Sequence, residues 1–200
     1  GGGGGGRLRV RERMQGVGVV VVGSVVPWYE VLALEFGAAR TLTLEYNQLS
    51  HDHPAMEAQT PAQYWGTAEL ARETFAVGLS ISSIEHDGLG RYGDAIDARG
   101  DLKAMRNLEQ VLQPSGLLLL AVPVGRDLVV WNAHRVYGAR RLTLLLERWT
   151  VERVLGLSLG MLADTVIIAP QPVFVLSNQR PATPANFSNF DDPVWRRIQE

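Results

Sequence analysis

Short unbroken apolar runs alternate along the chain with segments of helical spacing. Residues 19–22 and 117–122 are apolar at every position, which is typical of strands that are buried on both faces in a parallel sheet. Residues 28–36 follow Pro27 and carry apolar side chains at helical spacing, so they predict a helix. Residues 40–45 alternate and predict a second strand. This strand–turn–helix–strand unit is typical of a doubly wound fold.

The pattern continues to the C-terminal third of the chain. The further predicted elements are a strand at 56–59, a helix from 61 onward, a strand at 75–81, a helix from Asp101 (its expected N-cap) to 112, a helix at 142–147 and strands at 152–157 and 173–176. We therefore predict an α/β, Rossmann-type domain over residues 17–180, with a mostly parallel sheet, helices on both faces and an antiparallel late strand. A flexible Gly/Arg-rich lead-in (1–16) and a polar, loop-like or loosely docked C-terminal extension (181–200) flank it.

Composition narrows the function only by exclusion. The chain has 200 residues, of which 46% are hydrophobic and 20% are charged, as expected for one soluble globular domain. A net charge of -2 gives no reason to expect nucleic acid as a partner, and the absence of cysteine excludes disulfides and thiolate metal sites. No apolar run is long enough for a membrane span. Because the chain begins at Gly1 and not Met, we expect a fragment or a processed chain, whose location is cytoplasmic or unknown.

Two residues at predicted strand ends are candidates for cofactor binding. Gly23 lies between the first strand and the first helix, where a glycine lets a ligand approach the backbone, although a plain structural turn is the alternative. Glu45 ends the second strand, about twenty residues later, where a carboxylate binds ribose hydroxyls in dinucleotide-type folds. A solvated strand-end acid is the alternative for Glu45.

Two polar clusters follow predicted strands and should meet at the same edge of the sheet. The first, residues 80–94, contains Glu85 and His86, which fit a general base. Its aspartates, with Asp101, offer oxygen ligands, but their spacing matches no established metal site, so we expect no metal. We interpret His51 and His53 as residues of a solvated loop, because no third metal ligand lies near them in the sequence. The second cluster is a candidate sugar- or phosphate-binding wall and contains Trp131, Asn132, His134, Arg135 and Tyr137. A loop whose side chains only tie the backbone together is the alternative.

The sequence also resembles a known family. The loop at residues 80–94 resembles the signature of the family described as "Caenorhabditis protein of unknown function", and the segments 23–30, 44–46, 100–105, 131–138 and 171–178 resemble it in the same order. The likeness covers about residues 17–178. More distantly, residues 82–86 and 112–123 are similar to class I methyltransferases that use S-adenosylmethionine. That resemblance implies that Gly23 and Ser24 face the cofactor, Glu45 its ribose and Ser82 its methionine end. The loop after the first strand departs from it, since it lacks the second and third glycines.

These observations lead to three hypotheses. The first is an S-adenosylmethionine-dependent methyltransferase acting on a small-molecule or glycan-type acceptor. Glu85 or His86 would deprotonate the acceptor, while Asn132, His134, Arg135 and Tyr137 would position it. The second is a non-catalytic binding module that keeps the methyltransferase fold, which the reduced glycine loop favours. A glycan-processing enzyme of another type is the third.

Overall fold

A computed structural model of the protein describes residues 10–66, 74–165 and 169–199. Its helices are α1 (Val10–Met14), α2 (Trp28–Glu35), α3 (Pro61–Gly66), α4 (Gly100–Val111) and α5 (Ala139–Leu145). Its strands are β1 (Gly18–Val22), β2 (Arg40–Leu44), β3 (Met56–Gln59), β4 (Phe75–Ile81), β5 (Leu112–Ala121), β6 (Leu128–Val130), β7 (His134–Val136), β8 (Thr150–Leu155), β9 (Val173–Ser177) and β10 (Ile198–Gln199). Three short 3-10 helices lie at Ile84–His86, Leu159–Ala163 and Pro193–Arg197.

Eight of the described strands form one sheet in the order β10-β8-β9-β5-β4-β1-β2-β3. β1 pairs in parallel with β2 on one side and with β4 on the other, and β5 continues the parallel part. β9 is antiparallel to both β5 and β8. The predicted α/β, Rossmann-type fold with an antiparallel late strand is confirmed.

Helices cover both faces of this sheet, which is why β1 is apolar at every position. Val19 and Val21 pack on one face with Met14 of α1 and Ala33 of α2. Val20 packs on the opposite face, in the larger cluster that contains Met105 and Leu108 of α4 and Leu142 and Leu145 of α5. Successive strand side chains point to opposite faces, so a strand between two helical layers needs apolar residues throughout.

Two features inside the domain differ from the prediction. Residues 124–138, where the sequence predicts no helix or strand, contain the antiparallel hairpin β6–β7. Its strands have only three residues each, too few to produce a clear alternating pattern. Residues 113–116, which separate the predicted helix from the predicted strand at 117–122, lie inside β5, where the pairing with β4 shifts register between Phe75 and Val77. The extra residues of β5 therefore form an irregularity in a continuous strand.

Both flanking segments are more ordered than predicted. Within the lead-in, residues 1–9 lie outside the described residues, but Val10–Met14 is helical and Met14 is buried. In the C-terminal extension, Phe187 and Val194 are fully buried in the main core, and β10 pairs in parallel with β8. A few apolar residues anchor this otherwise polar segment in the core. The average composition of the segment does not reveal them, so the sequence pattern did not predict the anchoring.

The described part of the chain contains no helix that is long and apolar enough to cross a membrane.

We predict that Phe187→Ala lowers the free energy of unfolding by about 3–5 kcal/mol, because it removes a buried aromatic ring from the core. Phe190→Ala is the matched control, since that ring is 68% exposed, and we expect it to change stability by less than about 1 kcal/mol. Urea unfolding followed by circular dichroism measures both values. Equal, small effects would show that the C-terminal segment does not contribute to the folded core.

Candidate functional site

A cavity of about 350 Å³ opens at the carboxyl ends of β1, β2 and β4. The chain leaves β1 toward β2 on one side, while β4 lies on the other, so the sheet order reverses at this point. Ligands of open α/β sheets bind at such a reversal. Four predicted site residues line the cavity: Gly23, Glu45, Ser82 and His86.

The loops after β1 and β4 touch each other at the back of this cavity. Gly23 has a φ of +75°, and a Cβ atom placed there would lie 2.1 Å from the Ser83 Oγ atom. Glycine is therefore required at this position both by its left-handed backbone and by the neighbouring loop. The next residue after β4, Ser82, also has a positive φ of 54°. A residue other than glycine in this region is strained, and such strain is concentrated at functional sites.

Ser24 does not line the cavity. It is buried, and its hydroxyl donates to the Val26 carbonyl at 3.0 Å and to the Glu30 carboxylate at 3.0 Å. Glu30 is also fully buried and accepts from the Thr43 hydroxyl at 2.6 Å. Ser24 thus connects the first loop to α2, and its side chain has its hydrogen bonds within the protein.

Glu45 reaches the cavity from the end of β2. Its Oε1 atom accepts from the backbone N–H and the side-chain amide of Asn47, at 3.1 Å and 3.0 Å. Within the described part of the chain its Oε2 atom makes no hydrogen bond. The carboxylate is held in one orientation by Asn47 and keeps an oxygen available to a ligand hydroxyl.

Glu85 and His86 form a pair beside Ser82. The Ser82 hydroxyl donates to Glu85 Oε1 at 2.8 Å, and His86 Nε2 lies 3.7 Å from the same oxygen. Glu85 is 1% exposed and is not part of the cavity wall, whereas His86 is. Burial raises the pKa of the Glu85 carboxyl, and the Ser82 hydroxyl opposes this shift. Glu85 therefore lies behind His86, out of direct reach of the cavity.

The β6–β7 hairpin fixes the orientation of the His86 ring. His86 Nδ1 lies 2.5 Å from the Ala133 carbonyl oxygen, which can only accept, so this nitrogen carries the proton. In the neutral ring, Nε2 is then the basic nitrogen. Two other predicted residues of the hairpin lie close by. The His134 ring lies edge-on to the His86 ring at 6.3 Å between centroids, and Asn132, next to Ala133 in the chain, accepts from Arg91 through its carbonyl. Neither Asn132 nor His134 is part of the cavity wall.

Arg135 and Tyr137 are buried in an ionic network and do not line this cavity. The Arg135 guanidinium donates to the carbonyls of Glu85, Asp87 and Asp97, at 3.3, 2.6 and 3.2 Å. The Tyr137 hydroxyl donates to Asp101 Oδ2 at 3.1 Å. These bonds hold the 84–97 loop against the hairpin.

Asp101 is the centre of this network and not the helix cap that the sequence predicts. Its carboxylate is fully buried and pairs with Arg141 at 2.5 Å and with Arg135 at 3.8 Å. The N-cap position of α4 is Arg99, and no side chain caps it. Its partners Arg135, Tyr137 and Arg141 lie about 35 to 40 residues away in the chain, so local sequence could not reveal them.

Several residues outside the predicted cofactor and catalytic sets also line the cavity: Tyr46, Trp65, Asp87, Asp97, Lys103 and Asn107. The sequence suggested the two aspartates only as possible metal ligands. The Tyr46 hydroxyl donates to Asp87 Oδ1 at 3.2 Å. Burial raises the pKa of Asp87 to about 7. A carboxyl that titrates near neutral pH in a cleft is a candidate acid or base. The position of Asp87 directly after His86 was a signal in the sequence for this residue. Lys103 and Asn107, in contrast, reach the cavity only because α4 packs beside it.

The described residues contain no group of three acidic, histidine or cysteine side chains that could hold a metal ion. Asp94 instead accepts from the backbone N–H groups of Gly88, Gly90 and Tyr92. Asp97 pairs with Lys103 at 2.5 Å. In the loop before β3, His53 Nδ1 accepts from the Ala55 N–H at 3.2 Å. Asp94 and Asp97 thus have their hydrogen-bond and ion-pair partners within the protein.

Comparison with known proteins identifies a family and a fold. The model of the family described as "Caenorhabditis protein of unknown function, DUF268" matches residues 15–153. No curated protein sequence matches the chain.

Solved structures of similar fold include several methyltransferases. An S-adenosylmethionine dependent methyltransferase from Mesorhizobium loti superposes with a TM-score of 0.56 at 12% identity, over 82% of this chain and 92% of that one. The 1,6-didemethyltoxoflavin-N1-methyltransferase of Burkholderia thailandensis, with bound S-adenosylhomocysteine, has a TM-score of 0.61 at 13% identity, over 82% and 72%. The [4+2]-cyclase SpnF is similar at a TM-score of 0.52 and 15% identity, over 73% and 59%. Identities this low show the fold alone.

We predict that ionisation of Asp87 destabilises the protein as the pH rises. Because the pKa is raised from 3.8 to about 7, the folded state favours the neutral carboxyl. The contribution of this neutral carboxyl to the free energy of unfolding is complete below about pH 4. It is lost as the pH rises to 7, which lowers the free energy of unfolding by up to roughly 4 kcal/mol. Asp87→Asn removes the titrating group. The free energy of unfolding of this variant should therefore increase relative to that of the wild type as the pH rises from about 5 to about 8. Urea unfolding at several pH values measures this difference.

The matched control for this experiment is Asp191→Asn, because Asp191 is exposed. We expect that variant to follow the wild-type pH dependence. Parallel pH profiles for Asp87→Asn and the wild type would contradict the assignment.

Proposed function

Because the chain belongs to the family described as "Caenorhabditis protein of unknown function, DUF268" and has the fold of S-adenosylmethionine-dependent methyltransferases, we propose that it transfers a methyl group from S-adenosylmethionine to a small or sugar-like acceptor. The observation that supports this most is the cavity at the sheet reversal, which Glu45 lines with a carboxylate oriented by Asn47. A carboxylate at the end of the second strand is suited to accept hydrogen bonds from ribose hydroxyls.

The residues at the cavity fit the proposed cofactor. The cavity volume of about 350 Å³ lies in the range of small-molecule sites. Gly23 presents backbone next to the end of β1, and Ser82 presents a hydroxyl at the end of β4. We assign Gly23, Glu45 and Ser82 to the cofactor, and Ser24 to the support of the loop from behind. When bound, S-adenosylmethionine supplies an electrophilic methyl group on a sulfonium.

His86 is the proposed general base. Nδ1 is protonated by its bond to Ala133, which leaves the lone pair of Nε2 to take a proton from the acceptor. Glu85, 3.7 Å from Nε2, would stabilise the resulting imidazolium when it is ionised. Asn132 and His134 flank Ala133, whose carbonyl contacts His86, and they are the proposed acceptor contacts. Arg135 and Tyr137 would act through the loop that they hold.

A second candidate function is a binding module without methyl transfer. One observation favours it: the loop after β1 has a single glycine, and Val25 of the same loop lines the cavity. The fold itself is compatible with other chemistry, since one similar structure is a cyclase. Cofactor binding distinguishes the two candidates.

We expect S-adenosylmethionine and S-adenosylhomocysteine to bind the purified protein in isothermal titration calorimetry. Glu45→Ala should weaken binding about 10- to 100-fold, the usual effect of losing a hydrogen bond to a charged group. Glu35→Ala, at an exposed position of α2, is the control and should bind like the wild type. No detectable binding by a folded sample would refute the methyltransferase proposal and leave the binding module.

We expect His86→Gln to bind S-adenosylmethionine normally but to transfer methyl groups 10²- to 10⁴-fold more slowly, because a general base contributes about that factor. The assay screens hydroxyl- and amine-bearing small molecules and sugars for transfer of a labelled methyl group. His53→Gln, in the loop before β3, is the control. Wild-type turnover by His86→Gln would exclude His86 as the base, and wild-type turnover by Glu85→Ala would exclude its supporting role.

A further inference from the structure

A second cavity, of about 560 Å³, lies between the β6–β7 hairpin, the 88–98 segment and α5. Four large apolar side chains on its wall are strongly exposed: Ile96 (70%), Val129 (55%), Trp131 (67%) and Leu144 (52%). Single exposed apolar residues are common on protein surfaces, but a group from three separate segments that converges on one concave site indicates a binding surface. We call this cavity the hairpin groove.

The hairpin groove is separate from the proposed cofactor cavity. Gly88 is the only described residue that lines both. The two cavities therefore share part of one loop, while their other walls differ. The cofactor cavity lies at the ends of the parallel strands, whereas the groove lies against α5 and the hairpin.

Most charged groups of the groove already have partners within the protein. Arg135 donates to backbone carbonyls, and Arg141 pairs with Asp101 and donates to the Ala98 carbonyl at 2.8 Å. Asp127 accepts from the N–H groups of Gly138 and Arg141, at 2.7 and 3.2 Å. A ligand part that lies on this wall must accordingly be apolar, because a polar group there would find few free hydrogen-bond partners.

Arg140 is the exception. It lines the groove and is exposed, and its side chain makes no hydrogen bond or ion pair with the described residues. A guanidinium at the edge of an apolar groove attracts an anion, and its planar fork matches a carboxylate or phosphate. The groove thus combines an apolar wall with one available positive charge.

We propose that the hairpin groove binds an amphipathic anion, an aliphatic chain that carries one carboxylate or phosphate head. The aliphatic part of the ligand lies along Trp131, Ile96 and Leu144, and its anionic head pairs with Arg140. The concave shape and the volume are those of a small-molecule site, which favours such a ligand over a flat protein interface. The charge of Arg140 favours an anionic head over a neutral or cationic one.

The test is calorimetric titration of the whole protein with decanoate and with decyl phosphate, both below the concentration at which they form micelles. Decanol and decylamine are the neutral and cationic controls. We expect saturable binding of one anion per chain, and weaker binding of the neutral and cationic probes. Binding of only one of the two anions identifies the head group. Equal binding of all four probes, or no saturable binding, would overturn the proposal.

Variants locate the site. Arg140→Gln should weaken decanoate binding up to about fivefold, as expected for an exposed ion pair, while Arg180→Gln, at another exposed arginine, should not. Ile96→Ser should weaken it about tenfold through lost apolar contact, and Val31→Ser on α2, which is 48% exposed, should not. If both groove variants bind like the wild type, decanoate binds elsewhere and the assignment is wrong.

The same samples test the competing occupants. Analytical ultracentrifugation shows whether a second copy of the chain covers the groove. A dimer that Ile96→Ser dissociates would replace the small-molecule assignment. A monomer that binds decanoate with the expected variant effects supports it. None of these measurements depends on S-adenosylmethionine, so failure here and failure of the proposed methyl transfer are distinguishable.

Discussion

The buried guanidinium of Arg135 is the interaction on which the functional end of the molecule depends. It reaches the carbonyls of residues 85, 87 and 97 and lies beside the Asp101 carboxylate, which also binds Arg141 and Tyr137. One side chain on β7 thereby connects the loop after β4, the start of α4 and the start of α5. A charge buried this deeply is tolerated only when it is paired and hydrogen-bonded, and removing one partner leaves the others unsatisfied. The network therefore has to form as a whole.

Both cavities result from this arrangement. The loop that Arg135 holds carries His86 and Asp87 into the first cavity, and it carries Ile96 into the hairpin groove. The hairpin, in turn, supplies the carbonyl of Ala133 to the His86 ring. The orientation of a candidate catalytic base thus depends on a segment that comes almost fifty residues later in the chain. The α/β sheet provides the platform, and these later contacts determine which side chains face the ligand.

The fold by itself does not determine the chemistry. Structures that share it at 12–15% identity include methyltransferases and a cyclase. The features of this chain that bear on its chemistry are local: a first loop with one glycine packed against Ser83, an oriented Glu45, and a carboxyl at Asp87 whose pKa burial raises to about 7. The function has to be established from these residues, because the backbone that carries them is compatible with several reactions.

The sequence by itself determined the layered α/β architecture. Residues 19–22 and 117–122 are apolar throughout because helices cover both faces of their strands, and that requirement is visible in any short window of sequence. Strand ends such as Glu45 and Ser82 also followed, since the carboxyl ends of parallel strands share an edge. Only the tertiary structure decided the roles of side chains beyond those ends. It separated His86, at the cavity, from Glu85, behind it, and it placed Arg135, Tyr137 and Asp101 in one buried network. The physical reason is distance along the chain: local pattern specifies strands and helices, whereas a hydrogen bond between residues forty or fifty positions apart depends on how those elements pack.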